Sequence, residues 1–574
     1  MKKFLVTMLT VLLTLVLLLC AGIGFFVYKK YSPSKEMADP CEWFGVSGDE
    51  VAIMWNQELQ ESEEAKGRYI DGQVYLPLDW VNAYLNERFY WDAADHQLIY
   101  ALPDSIVYAG ADSVGGSGAR LFVEQEERVW ILTGLVQNYT DIRTEIFTDS
   151  YAKRIFIDSD WMPEETAVLK KKEAVRMRGG IKSSILTEAA SGVEVVVLEV
   201  LDNWSRVRTA DGYLGYVRNK RLGEIRTREV ISTFEEPVYT SISLGEPVCL
   251  VWHQVTSKQA NKTMEKLMAN TRGVNVIAPT WFMLTDNEGN FESLAEQDYV
   301  DRAHAMGLQV WAVLDNFNRG ENVKSEVLFA DTAARKKLIA GLMEEVRRFG
   351  LDGINLDIEG IKASAGVHYV QFIRELSVDC RKEGIVLSVD TYVPAAYNAF
   401  YNWPEQGRVA DYVIIMGYDE HYAGGDAGSV ASLGYERKGI EDTLTMVPKE
   451  KLISGIPFYT RLWKVDDSGV TSTAMGIAAA KAWVEEHGME LYWQEEPGQY
   501  YGELEADGGK YLLWMEEETS IGLKMDLIRN YELAGVACWK LGFEPAKIWD
   551  IVNLSAGAPA QQNEKSDIKG SAGQ

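Results

Sequence analysis

The stretch Leu351-Asp352-Gly353-Ile354-Asn355-Leu356-Asp357-Ile358-Glu359-Gly360 decides how the rest of the chain is read. Apolar Ile354, Leu356 and Ile358 alternate with polar Asn355, Asp357 and Glu359, the period-two pattern of a strand. On either side, residues 331–349 and 367–382 place apolar side chains at helical spacing. A strand between two amphipathic helices is one β/α unit. Its polar face ends in an acid with a second carboxylate one step below, an arrangement suited to proton transfer.

Outward from this unit the same pattern repeats. Candidate strands fall at 248–252, 274–279, 309–314, 353–359, 386–390, 412–416, 452–456 and 535–539. Eight strands with helical crossovers in about 300 residues predict a (β/α)8 TIM barrel over 245–553. The crossover from about 460 to 530 is long and holds Tyr492, Trp493, Tyr500, Tyr501, Tyr511 and Trp514, so a small inserted α+β subdomain is expected there. Residues 554–574 are rich in Ala, Gly, Gln and Ser and read as a disordered tail.

The N-terminal part is organised differently. Phe4 to Tyr28 form an apolar run between Lys2-Lys3 and Lys29-Lys30. It is long enough to cross a hydrocarbon core of roughly 30 Å and outlasts the core of an ordinary signal peptide. A transmembrane anchor at 1–30 is expected, with a cleaved and secreted form as the rival. Residues 42–160 alternate short strands with a helix after Pro77, a small α+β domain. Residues 175–225 read as a small all-β barrel, through Trp204-x-x-Val207-x-Thr209 and Asp211-Gly212-x-x-Gly215-Tyr216-Val217.

The net charge of −28 argues against nucleic acid or an anionic surface as partner. The five cysteines form neither a CxxC pair nor a His/Cys cluster, so no metal and no cofactor is expected. Chemistry in such a barrel sits at the carboxyl ends of the strands. Here those ends carry Asp357 and Glu359, then Asp390-Thr391-Tyr392, then Tyr418-Asp419, and finally Trp539. Carboxylates, a tyrosine and a tryptophan converging on one rim describe a carbohydrate cleft.

Asp352-x-x-Asn355-x-Asp357-x-Glu359 resembles the Asp-x-x-Asp-x-Asp-x-Glu signature of glycoside hydrolase family 18. The other strand ends agree in order: Thr280-Trp281-Phe282, Met416-x-Tyr418-Asp419, Gly455-Ile456-Pro457-Phe458-Tyr459 and Trp539. The arrangement looks closest to the bacterial cell-wall and spore-wall branch. Residues 42–160 are similar to the small domain named after the amine-oxidase N-terminus, and 175–225 resemble bacterial Src-homology-3-like domains, which often bind wall components.

The resemblance implies a retaining, substrate-assisted mechanism. Glu359 would be the acid and then the base. Asp357 would orient the substrate's acetamide, Tyr418 would hydrogen-bond its carbonyl, and Trp539 would floor the sugar. Asp419, Asn355, Asp352 and Trp281 are further substrate-side candidates. The departure is Asn355, where chitinases of the family usually carry Asp; a neutral neighbour should let Asp357 ionise more easily. The expected function is hydrolysis of β-1,4 linkages after N-acetylglucosamine in peptidoglycan or a related wall polymer. The expected enzyme is anchored in the cell membrane, with its C-terminal domains outside and a wall contact through the small β domain. A chitinase and a non-catalytic, lectin-like wall protein are the alternatives.

Overall fold

The computed structural model describes residues 1–148, 151–317 and 322–554. The expected tail lies outside the described residues except for Leu554. The chain folds as two compact units. The first holds residues 1–91, 96–99 and 108–236, the second residues 92–95, 100–107 and 237 onward.

In the first unit, helix Lys2–Tyr31 has a mean hydropathy of 2.8 and exposes its whole apolar surface, so by length and composition it can cross a membrane. Strands Gln73–Pro77 and Arg128–Leu132 pair antiparallel, and each runs straight into a short helix, Leu78–Tyr84 and Thr133–Tyr139. They lie in an eight-stranded sheet in which Glu50–Trp55 pairs parallel with Arg154–Asp158. A seven-stranded sheet follows, with Val175, Val195, Val197, Val207 and Val217 in its core. It begins at Glu164, earlier than the expected 175, because strand Glu164–Val168 pairs with Glu194–Val200. Arg154 is buried in the first sheet and donates from Nε to the carbonyl of Gly212, 2.5 Å away, which ties the two modules together.

The second unit is a (β/α)8 TIM barrel. Its strands are β1 (Val248–His253), β2 (Val276–Pro279), β3 (Gln309–Asp315), β4 (Gly353–Asp357), β5 (Val386–Tyr392), β6 (Tyr412–Met416), β7 (Leu452–Pro457) and β8 (Gly535–Trp539). Each pairs parallel with its neighbours, and β8 pairs with β1 to close the ring. Helix Thr332–Phe349 is capped by the Asp331 carboxylate, which accepts from the Ala334 N–H, and stops at Gly350 in the left-handed region. Helix Ala363–Glu383 stops in the same way at Gly384.

Alternation along the strands divides the apolar residues into two layers. Val310, Ala312, Leu314, Ile354, Leu356, Leu387 and Val389 face outward to the helices. Val248, Leu250, Trp252, Trp311, Val313, Val386, Tyr412 and Ile414 fill the lumen. Trp311 stacks on Tyr412 with ring centroids 5.5 Å apart. Gly353 makes room for it, since a Cβ there would lie 2.7 Å from Trp311 Cδ1. Between β7 and β8 the chain builds a five-stranded antiparallel sheet with one helix, Ile477–His487, over a core of Leu462, Ala480, Met489, Leu513 and Met515.

Candidate active site

Three neighbouring strands carry aspartates toward the lumen at their carboxyl ends. Asp315 on β3 is in register with Asp357 on β4. Asn355 and Leu356 pair with Ser388 and Val389 of β5, so Asp357 and Asp390 continue one face across the boundary. All three aspartates are buried. Below them Asn355 is a buried connector. Its Oδ1 accepts from Trp252 Nε1 at 3.0 Å, while Nδ2 donates to Asp390 Oδ1 at 2.7 Å and to Ser388 Oγ at 2.9 Å.

Burial first, and then the charges of Asp390, Glu359 and Asp315, hold the Asp357 carboxyl well above the usual carboxylate range. The carboxylate that Asn355 does not supply on β4 stands on β5 instead. Asp390 is likewise held high, by burial and then by Glu359, against the hydrogen bond from Asn355. Asp315 is pushed up to about 6, again chiefly by burial, although it accepts from the Phe317 N–H. Asp357 Oδ1 is buried with no protein hydrogen-bond partner.

Glu359 stands at the mouth, half-buried. Tyr392 donates from its hydroxyl to Glu359 Oε2 at 2.7 Å, and the Gly360 N–H donates to that hydroxyl at 3.1 Å. Asn316, just past β3, grips the backbone on both sides: Nδ2 donates to the Glu359 carbonyl at 2.7 Å, and Oδ1 accepts from its N–H at 3.0 Å. Burial raises the Glu359 carboxyl above its ordinary value, while the Tyr392 hydroxyl and Asp357 oppose the rise. Beside it lies an open cleft of about 640 Å³, lined by Asn316, Phe317, Ile361, Lys362 and Tyr392 among others.

Of the other expected residues, Tyr418 is half-buried past the end of β6, near enough that Asp357 and Asp390 add to burial in holding its hydroxyl protonated. Asp419 has a left-handed backbone, φ 57°, and is engaged by the Tyr459 hydroxyl at 2.7 Å and Arg461 at 3.6 Å. Trp539 ends β8 half-buried, its ring edge-on to Trp252 at 6.0 Å between centroids. Two residues lie elsewhere. Trp281 is fully buried, donating to Asn261 Oδ1 at 2.9 Å and packed edge-on against Tyr299, so it offers no surface to a sugar. Asp352 precedes β4 at the opposite end of the barrel, where it accepts from His304 Nε2 and the Val310 N–H, both at 2.8 Å.

Asp315 and Asn316 belong to the cluster and were not singled out from the sequence; Asp390 and Tyr392 were named at the end of the fifth strand but given no role. Asp390 and Tyr392 carried a usable signal, being strand-end residues on the inward parity of β5.

Residues 284–544 match the model of glycosyl hydrolases family 18, and 174–223 that of the bacterial SH3 domain. The barrel is a glycoside hydrolase. The stretch matched to the hydrolase family contains Asp315, Asp357, Glu359, Asp390, Tyr418 and Trp539 and begins after β2. The chain is 27% identical over 291 residues to the uncharacterized glycosylase YvbX of Bacillus subtilis, covering 49% of this chain and 84% of that one. It is 26% identical over 236 residues to the cortical fragment-lytic enzyme of the same organism, covering 40% and 55%. The latter match therefore spans about half of the relative's length. A crystal structure of the Bacillus cereus spore cortex-lytic enzyme SleL superposes with a TM-score of 0.48 and 18% identity, over 57% of this chain and 76% of that one.

Proposed function

We propose that this glycoside hydrolase cleaves β-1,4 linkages after N-acetylglucosamine in peptidoglycan or a related wall polymer, with retention and with the substrate's acetamide as nucleophile. The observation that carries the mechanism is the position of Asp357. A two-carboxylate glycosidase needs its second carboxylate across the scissile bond, about 5–10 Å from the acid. Asp357 instead ends β4 two residues before Glu359, buried beneath it. It is placed to orient and stabilise a substrate group, not to attack C1 or to hold water on the far face.

In this reading Glu359, its carboxyl raised by burial, donates its proton to the glycosidic oxygen as the bond from C1 breaks. The acetamide oxygen closes on C1, and the positive charge spreads into an oxazolinium ring. Asp357 accepts from the acetamide N–H, and Tyr418 donates to the acetamide oxygen. Trp539 is the floor beneath the sugar. Glu359, now ionised, takes a proton from the water that opens the ring, and the β configuration is restored.

The wall polymer is favoured by the relatives, two of which are a cortical fragment-lytic enzyme and a sporulation-specific glycosylase. A membrane anchor at Lys2–Tyr31 and wall contacts through the amine-oxidase-N-terminus-like and SH3-like modules complete the reading, with the barrel outside the cell. The test uses the full chain in detergent with purified peptidoglycan and with chitooligosaccharides. Wild type should release new N-acetylglucosamine reducing ends from peptidoglycan in the β form, and Glu359→Gln should lower that rate at least ~100-fold. Cleavage of chitooligosaccharides alone would transfer the reading to a chitinase. Release from neither would leave a glycan-binding protein.

A further inference from the structure

Asn355 leaves β4 with one aspartate where an acid pair would let a proton move beneath the reaction. The structure holds such a pair across two strands. Asp390 is buried, on the same inward face as Asp357, and its Oδ1 is fixed at 2.7 Å by Asn355 Nδ2. Asn355 is itself oriented, since Trp252 Nε1 occupies its Oδ1 and so commits its amide nitrogen to Asp390 and Ser388. A carboxylate held this way has a fixed direction, and Asp357 Oδ1, on the same inward face of the adjoining strand, has no hydrogen-bond partner in the protein. An aspartate serving only as a structural acceptor at this depth would ordinarily be matched by a cation or by several donors. The charged groups that bear on the pair are instead Glu359 above it and Asp315 on β3, with the hydroxyls of Tyr418 past β6 and Tyr369 on helix Ala363–Glu383 also facing it.

We propose that Asp390 is a positioning residue for the reaction, the partner with which Asp357 shares one proton across the β4–β5 boundary. Before the substrate reacts, the proton resides on Asp357. As positive charge develops on the acetamide, that proton passes to Asp390, and Asp357 becomes the anion that accepts from the acetamide N–H. It returns when water opens the ring, so the pair ends the cycle as it began and no outside acid or base is consumed. Asn355 is the rigid arm that keeps Asp390 within reach.

This rests on the substrate-assisted reading above, and its test separates the two. Full chains carrying Asp390→Asn, Asn355→Asp, and both changes together are compared with wild type by reducing-end release from peptidoglycan across pH. Asp390→Asn should lower kcat at least ~10-fold with KM within about twofold, and should remove one ionisation from the pH profile of kcat. The double variant, which returns a carboxylate to β4, should recover most of the lost rate. An Asp390→Asn enzyme with unchanged kcat and profile would overturn the proposal, as would a double variant no better than the single. If wild type cleaves nothing, the proposed function and the role in the reaction fall together, and thermal unfolding across pH then decides the shared proton by itself. With a shared proton, the gain in Tm of Asp390→Asn over wild type grows as pH rises above the ordinary carboxylate range. A Tm difference independent of pH would overturn it.

Discussion

Two regions of the barrel bury carboxylates to a similar depth and treat them in opposite ways. In the helix layer three buried glutamates are each met by a cation, while a fourth, Glu436, accepts from Ser454 Oγ instead. Arg335 grips Glu375 with two bonds of 3.0 Å, Arg374 reaches Glu405 at 2.7 Å, and Lys524 reaches Glu516 at 2.9 Å. At the carboxyl ends of β3, β4 and β5, Asp315, Asp357, Glu359 and Asp390 are set against one another, and the charges that weigh most on Asp357 are all acidic. A paired buried charge stays ionised and holds structure. A crowded set of acids keeps protons at a pH where free carboxylates have lost theirs, which is what acid–base chemistry needs. The same residue types therefore serve packing in one layer and reaction in the other.

The comparison can be broken most forcefully in the helix layer. Arg335→Met strands Glu375 without its cation and should cost ~3–5 kcal/mol in chemical denaturation, while Arg335→Met with Glu375→Leu should regain most of it. If the single change were nearly neutral, the two regions would not differ as described.

At the rim the sign reverses. The native state holds the Asp315 proton up to about pH 6, above the unfolded value near 3.8, so stability falls as pH rises through that window. Asp315→Asn should remove this loss and raise stability at neutral pH by roughly 1–3 kcal/mol, with no gain below pH ~4. Tm measured across pH checks both the sign and the window.

A smaller effect separates the members of the rim. Tyr392 donates to Glu359 and so favours its ionised form. Tyr392→Phe should raise the Glu359 pKa, move the basic limb of the rate profile to higher pH, and lower kcat by about tenfold or less. A limb that moved to lower pH would show that the hydroxyl serves the protonated form.

The barrel was legible in the sequence because its signals are local. Period-two runs such as Ile354-Asn355-Leu356-Asp357 and the amphipathic helix beginning at Thr332 announce themselves within one element. Glu359 and Asp357 were visible for the same reason, being two residues apart at the end of one period-two run. Asp390 as partner of Asn355, and Asn316 as the clamp on Glu359, depend on which residues of adjacent strands come level, and that register is fixed only when the ring closes. Trp281 and Asp352 fail in the opposite way. Both sit beside motif residues in sequence, but Trp281 turns outward against Tyr299, and Asp352 lies five residues before Asp357, about 16 Å along an extended strand.

The lumen packing has a consequence for proton traffic. Trp252, Trp311 and Tyr412 fill the barrel below the acids, so Asp357 and Asp390 meet solvent from the rim side. In the proposed reaction a glycan lying across that rim would cover this route, and the protonation of the cluster would be set by the pH before the polymer arrives.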